Sequence, residues 1–219
     1  MKREALALTH FGGTLAPQLL DLADVTVFQQ FVGGKTYEEL IQENPTNKDC
    51  FSDAGQILAD IHTPVHRPFV YLQEEIESKI AKYSKKARPV LDTYFKKTPI
   101  VQIDWEEVKK FGSTRVHRDL WLGNIIKGIA IDWEFSGIGS PYEDFAIAEL
   151  WIFMKYGGKE AFYESYGRKP DEKTVLEFLK LKCIQFLSTT TPDNIESEEP
   201  TGFYHNKLSI LQELCSHEN

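Results

Sequence analysis

Residues 114–133 constrain the fold of this chain more than any other stretch. The surrounding hydrophobic pattern is helical, but here three short apolar runs follow one another: Thr114–His117, Asn124–Ile126 and Ile129–Trp133. Runs this short suit strands better than helices. Lys127-Gly128 separates the last two and predicts a tight hairpin. Two carboxylates, Asp119 and Asp132, lie among these runs, so the segment that must fold as strands also carries reactive groups. The whole predicts an α+β chain: a mostly helical body with one small β element buried in its middle.

The flanking segments support that reading. The first ten residues read as the end of a helix stopped by Gly12-Gly13. Asp24–Val32 is rich in β-branched and aromatic residues and reads as a strand, with a short partner around Pro17–Leu22; Gly33-Gly34 breaks it. Thr36 and Glu39 have capping-box spacing and open a short helix that Pro45 closes. A second helix spans Lys48 to His62, with Phe51, Ala54, Leu58 and Ile61 at helical spacing. Tyr71–Lys97 is helical again, and Pro89 must break or restart it. Within it, Lys79–Lys97 carries seven basic residues against Asp92 alone, which is either an anion-binding patch or a solvated helix face. Asp104 caps a short helix to Lys110. Beyond Pro141 helices are expected over Tyr142–Tyr156, Lys159–Tyr166, Asp171–Leu187 and Phe203–Cys215, with a polar loop at Ser188–Gly202.

Composition narrows the function classes. A net charge of −8 on 219 residues argues against a nucleic-acid partner, which calls for a basic field. With 42% apolar and 26% charged residues the chain has the balance of a soluble globular protein. No apolar run approaches the length of a membrane span, and MKREALALTH lacks the apolar core of a signal peptide. Cys50, Cys183 and Cys215 are odd in number and far apart, which suits a reduced, cytoplasmic protein.

The chemistry is concentrated in Val116-His117-Arg118-Asp119-Leu120-Trp121-Leu122-Gly123-Asn124, followed by Ile131-Asp132-Trp133-Glu134. Phosphoryl transfer from a nucleotide needs an acceptor hydroxyl held in line, a carboxylate to take its proton, and divalent metal to neutralise phosphate charge. A loop with Asp at one position and Asn five residues on offers one carboxylate and one hard oxygen ligand, and an Asp after the adjoining strand offers a second.

Together with Gly139-Ser140-Pro141-Tyr142-Glu143-Asp144-Phe145-Ala146, these segments resemble the aminoglycoside phosphotransferase, choline kinase and fructosamine kinase group. The resemblance implies a protein-kinase-like fold with Asp119 as catalytic base, Asn124 and Asp132 as Mg²⁺ ligands, and His117 and Asp144 as structural members of the motif. Arg118 stands where the group usually has Gly and could pair with a phosphate or a carboxylate. Trp121 could stack on a sugar face or meet a cation, with Arg118 a further candidate for substrate contact. Backbone groups of Gln30, Phe31 and Val32 would bond the nucleotide base as a hinge. Gly55–His62 resembles the helix beneath the catalytic loop, which makes His62 a core histidine. Trp151, Phe153 and Tyr156 could floor an acceptor pocket.

The implied organisation is a remnant of the N-terminal lobe and hinge strand over 1–32 and a helical catalytic lobe over 33–219. Glu4 resembles the glutamate that pairs with a strand lysine, yet no such lysine and no Gly-rich loop stand ahead of it. The expected activity is ATP- and Mg²⁺-dependent phosphorylation of a sugar, amino sugar or amino alcohol. A second subunit or an upstream segment would complete the nucleotide site, with no nucleic acid and no membrane as partner. The alternative is a degenerate kinase fold that binds a nucleotide or a partner without turnover.

Overall fold

The computed structural model describes residues 2–23 and 26–216, which fall into two compact units. The first comprises the residues up to His66 together with Lys110–Pro170, and the second comprises Arg67–Lys109 with the residues from Asp171 on. The chain is mostly helical, and its strands are all short.

The first unit opens with α1 (Lys2–Phe11), which ends at Gly12 and at Gly13 with φ of +80°. β1 (Leu19–Ala23) and β2 (Thr26–Gln29) form an antiparallel pair. The strand expected over Asp24–Val32 is therefore shorter than its composition suggests, and its first two residues lie outside the described ones. Thr36 caps α2 (Tyr37–Glu43): its hydroxyl accepts from the Glu39 N–H, and the Glu39 carboxylate accepts from the Thr36 N–H. α3 (Asp49–Ile61) buries Phe51, Ala54, Ile57, Leu58 and Ile61, the face predicted from their spacing.

The β element over residues 114–139 is two short antiparallel pairs. β3 (Thr114–Val116) runs antiparallel to β6 (Gly137–Gly139), and β4 (Ile125–Ile126) pairs with β5 (Ile129–Ala130). The β4–β5 turn has φ of +51° at Lys127 and +79° at Gly128. Two left-handed residues make the turn type whose twist matches its strands. Strand β6 has no counterpart in the sequence pattern, because Gly-Ile-Gly carries almost no β signal.

α6 (Pro141–Ala148) is capped by Ser140 and Glu143 in a second capping box, with Pro141 at its first turn. It continues through a wider π-helical turn at Glu149–Phe153 into α7 (Met154–Tyr156). α8 (Lys159–Tyr166) then packs on α3 so closely that a Cβ on Gly55 would lie 2.1 Å from the Phe162 carbonyl oxygen. Phe145 is fully buried and meets the rings of His62, Phe111, Tyr142, Tyr163 and Tyr166 at centroid distances of 5.0 to 5.8 Å. Edge-on packing of this kind fills a core and fixes its geometry.

The second unit contains α4 (Phe69–Tyr94), α5 (Trp105–Phe111, whose last two residues belong to the first unit), α9 (Glu172–Leu187), α10 (Pro192–Glu196) and α11 (Phe203–Ser216). α4 runs unbroken through Pro89, contrary to the sequence expectation. Pro89 and Lys85 both lie on the exposed side, so the Lys85 carbonyl that loses its bond can face water. Buried Leu72, Ile76, Ala87, Val90 and Leu91 hold the helix together from the other side. α10 forms inside the segment expected to be a loop, with Thr191 as its N-cap. Asp104 caps α5 as expected, accepting from the N–H groups of Glu106 and Glu107.

The Gly55–Phe162 contact leads to a direct test. Gly55→Ala should destabilise the protein by about 1–3 kcal/mol, because the methyl group meets a backbone carbonyl that cannot rotate away. Thermal unfolding measures it, and an unchanged midpoint would refute the close approach.

Candidate active site

The site is built around a buried carboxylate. Asp144, 1% exposed, sits in the first turn of α6. Its Oδ2 accepts from the His117 N–H at 2.9 Å and its Oδ1 from the Arg118 N–H. His62, at the C-terminal end of α3, donates from Nε2 to the same Oδ2 at 3.0 Å. With Nε2 carrying the proton, His62 Nδ1 accepts from the Tyr166 hydroxyl at 2.9 Å. The expected core histidine is thus a hydrogen-bonded one, and Tyr166, which sequence reasoning overlooked, completes the chain.

Arg118 has φ of +68°, a conformation that glycine adopts without strain and an L side chain does not. Here the cost is offset by the side chain: Nε donates to Glu143 Oε2 at 2.9 Å, and Nη2 to Glu143 Oε1 at 3.2 Å and to the Ile138 carbonyl at 2.9 Å. Of the two roles read from the sequence, Arg118 takes the carboxylate partner. Its guanidinium is engaged with α6 and β6.

Downstream of Arg118 the loop is closed by Asn124. Its Nδ2 donates to the Asp119 backbone carbonyl at 2.9 Å and to Asp119 Oδ2 at 3.1 Å. The Ile131 N–H donates to the Asn124 carbonyl at 2.9 Å, and His117 Nε2 donates to the Ile131 carbonyl at 3.1 Å. Ile131 thereby ties both ends of the loop to the residue before Asp132. Asp132 is exposed, with φ of +62°. Among the described residues, Arg118, Lys127 and Asp132 are the non-glycine residues with positive φ. Two of the three flank or form this site, where such strain is commonly stored.

His117 is completely buried. Burial pushes its imidazole down to about 4, against the pull of Asp144, the Ile131 carbonyl and Asp132. It is therefore neutral at physiological pH and positions the loop. Its Nδ1 finds no partner among the described residues.

Trp121 lies over Gly123 so closely that a Cβ there would sit 2.4 Å from the indole. Its ring meets Trp151 at 6.2 Å, and both side chains are half-buried. Phe153 is core, packed on Phe162 and Tyr163, and Tyr156 donates its hydroxyl to Glu38 at 2.5 Å. Glu4 lies half-buried on α1; the carbonyl of its neighbour Arg3 accepts from Ser136 Oγ at 3.5 Å. Phe11 of the same helix stacks on Trp133 at 5.1 Å. At the expected hinge, the Gln30 N–H donates to the Gln18 carbonyl at 2.8 Å. Phe31 is 90% exposed, and Val32 is half-buried.

Residues 2–179 match the Phosphotransferase enzyme family (APH). No curated protein matches the sequence significantly. Among solved structures, the fold is similar to the choline kinase LicA from Streptococcus pneumoniae, with 19% identity, 98% of this chain and 79% of that one covered, and a TM-score of 0.59. It is also similar to a choline/ethanolamine kinase family protein from Mesorhizobium loti, at 16% identity, 98% and 76% coverage and a TM-score of 0.57. A spectinomycin phosphotransferase, solved with ADP and spectinomycin, gives 15% identity, 96% and 76% coverage and 0.58. These likenesses show the protein-kinase-like fold. Matched over most of its length, the chain belongs to the phosphotransferase enzyme family.

The buried His117 generates a pH prediction. Its folded value near 4 lies below the ordinary 6.5, so the unfolded chain takes up the proton first as pH falls. The contribution is complete above pH 6.5 and is lost as pH falls toward 4, amounting to about 3 kcal/mol. Denaturant unfolding at neutral and acid pH should show the wild type losing that much more stability than His117→Phe. Parallel losses in the two proteins would contradict the assignment.

Proposed function

We propose that this member of the phosphotransferase enzyme family transfers a phosphoryl group from ATP, or another nucleoside triphosphate, to a hydroxyl of a sugar, amino sugar or amino alcohol. The Asp119–Asn124 pair carries the reading. Asp119 is half-exposed in a loop held at His117, Arg118 and Asn124, and Asn124 fixes the plane of its carboxylate. A carboxylate so held can accept the proton of an acceptor hydroxyl as its oxygen attacks the terminal phosphorus and the nucleoside diphosphate leaves.

Mg²⁺ fits the donor set on this structure. Asn124 Nδ2 is committed to Asp119, which turns Oδ1 the other way. Asp132 makes no hydrogen bond or ion pair among the described residues. An amide oxygen and a carboxylate are hard donors of the kind Mg²⁺ takes. No group of three or more His, Cys, Asp or Glu gathers among the described residues, so nucleotide phosphates would complete the coordination. When bound, the ion neutralises phosphate charge.

Gln30, Phe31 and Val32 would receive the base. The backbone groups of Phe31 and Val32 make no hydrogen bond among the described residues, which leaves them able to do so. Glu4 would meet a cation contributed by a second subunit or an upstream segment. Trp121, held flat by Gly123 beside the base, would form one wall for the acceptor. No helix among the described residues is long and apolar enough to cross a membrane. A reducing cytoplasm, where Mg-ATP is held, suits three cysteines without a disulfide.

Transfer of label from radiolabelled ATP to a panel of sugars, amino sugars, choline and ethanolamine tests the reading. Asp119→Asn should lower turnover about 10²–10⁴-fold while leaving the melting temperature unchanged. Equal turnover in the two proteins would remove Asp119 from the role of base.

A further inference from the structure

The second unit holds a cavity of about 980 Å³ that no residue of the catalytic segment lines. Its wall comes from the end of α4, the connection to Gln102, the start of α9 and the end of α11. Lys96 and Lys97, just past α4, and Lys173, in the first turn of α9, line it. All three are exposed, and none has an ion-pair partner among the described residues. Of the cations further back on α4, Lys79 pairs with Glu75 and Arg88 with Asp92.

One carboxylate, Glu177, also lines the cavity, and both its oxygens are already engaged. Oε1 accepts from Lys180 at 2.8 Å and Oε2 from the Gln102 N–H at 2.7 Å. Its charge is therefore met by Lys180, and the cavity keeps the positive charge of three lysines in a chain whose net charge is −8. The remaining wall is partly apolar, with Phe95, Pro99 and Ile100, and Ile100 is 65% exposed.

We propose that this cavity binds a small phosphomonoester with an apolar body, at a site separate from the catalytic loop. A phosphomonoester carries nearly two negative charges and three strong acceptor oxygens, which match three ammonium donors. The apolar wall removes the body of the ligand from water. The lysine-rich stretch noted in the sequence thus divides into two parts: a solvated helix face, and the pair Lys96-Lys97, which with Lys173 forms the anion site.

Cys215 provides a local readout. It is part of the cavity wall and partly exposed, whereas Cys50 and Cys183 are buried. Alkylation of Cys215 by iodoacetamide, located by peptide mapping, would be followed against increasing phenyl phosphate, with phenol and inorganic phosphate as the two half-ligands. Phenyl phosphate is expected to slow alkylation saturably, at a half-saturating concentration at least about tenfold below that of either half-ligand. Lys97→Gln combined with Lys173→Gln should raise that concentration at least about tenfold. Both lysines are exposed, so the fold should survive, as circular dichroism would verify. Asp119→Asn should leave protection unchanged. Unaltered alkylation at about 10 mM phenyl phosphate, equal protection in the lysine variant, or loss of protection in Asp119→Asn would each overturn the proposal.

Discussion

Everything at the candidate site depends on Asp144. A buried carboxylate is costly unless its oxygens are hydrogen-bonded, and here the partners are the backbone N–H groups of His117 and Arg118 and the ring of His62. The loop cannot take another course without leaving that carboxylate unsatisfied. In this way a buried residue of α6 determines where Asp119 stands. α6, which carries Asp144, is itself positioned by the Ser140–Glu143 capping box and by the aromatic cluster around Phe145.

Strain and satisfaction are balanced locally. Arg118 and Asp132 both occupy left-handed backbone, the first directly before Asp119 and the second directly after Ile131. Neither conformation would persist alone. Arg118 is held by Glu143 and the Ile138 carbonyl, and Asp132 follows Ile131, whose N–H and C=O are both engaged across the loop. His117 closes the arrangement from below as a neutral, fully buried imidazole.

The second unit shows how one helix can serve different ends. α4 survives Pro89 because Ala87, Val90 and Leu91 beside it are buried while the interrupted carbonyl faces outward. Local propensity argued for a break, and packing overrode it, as tertiary context commonly does. Past the helix end, the buried Glu177–Lys180 pair anchors the Gln102 backbone and so shapes the cavity wall.

Much of the fold could be read from local pattern. The capping box at Thr36, the apolar face of α3, the Lys127-Gly128 turn and the run from His117 to Asn124 are short-range features, and each appears where residue spacing placed it. Strand β6 was not legible, since a Gly-Ile-Gly segment becomes a strand only when β3 lies beside it. The partners of Arg118 and His62 were equally hidden, because Glu143 and Tyr166 lie 25 and 104 residues away. Their pairing follows from folding, and no periodicity records it. By itself, then, the sequence determined which residue types could hold a metal and accept a proton, because that chemistry resides in the side chains. Only the tertiary structure decided that Arg118 turns to Glu143, that α4 stays whole, and that three lysines line one cavity, because those outcomes depend on long-range contacts and burial.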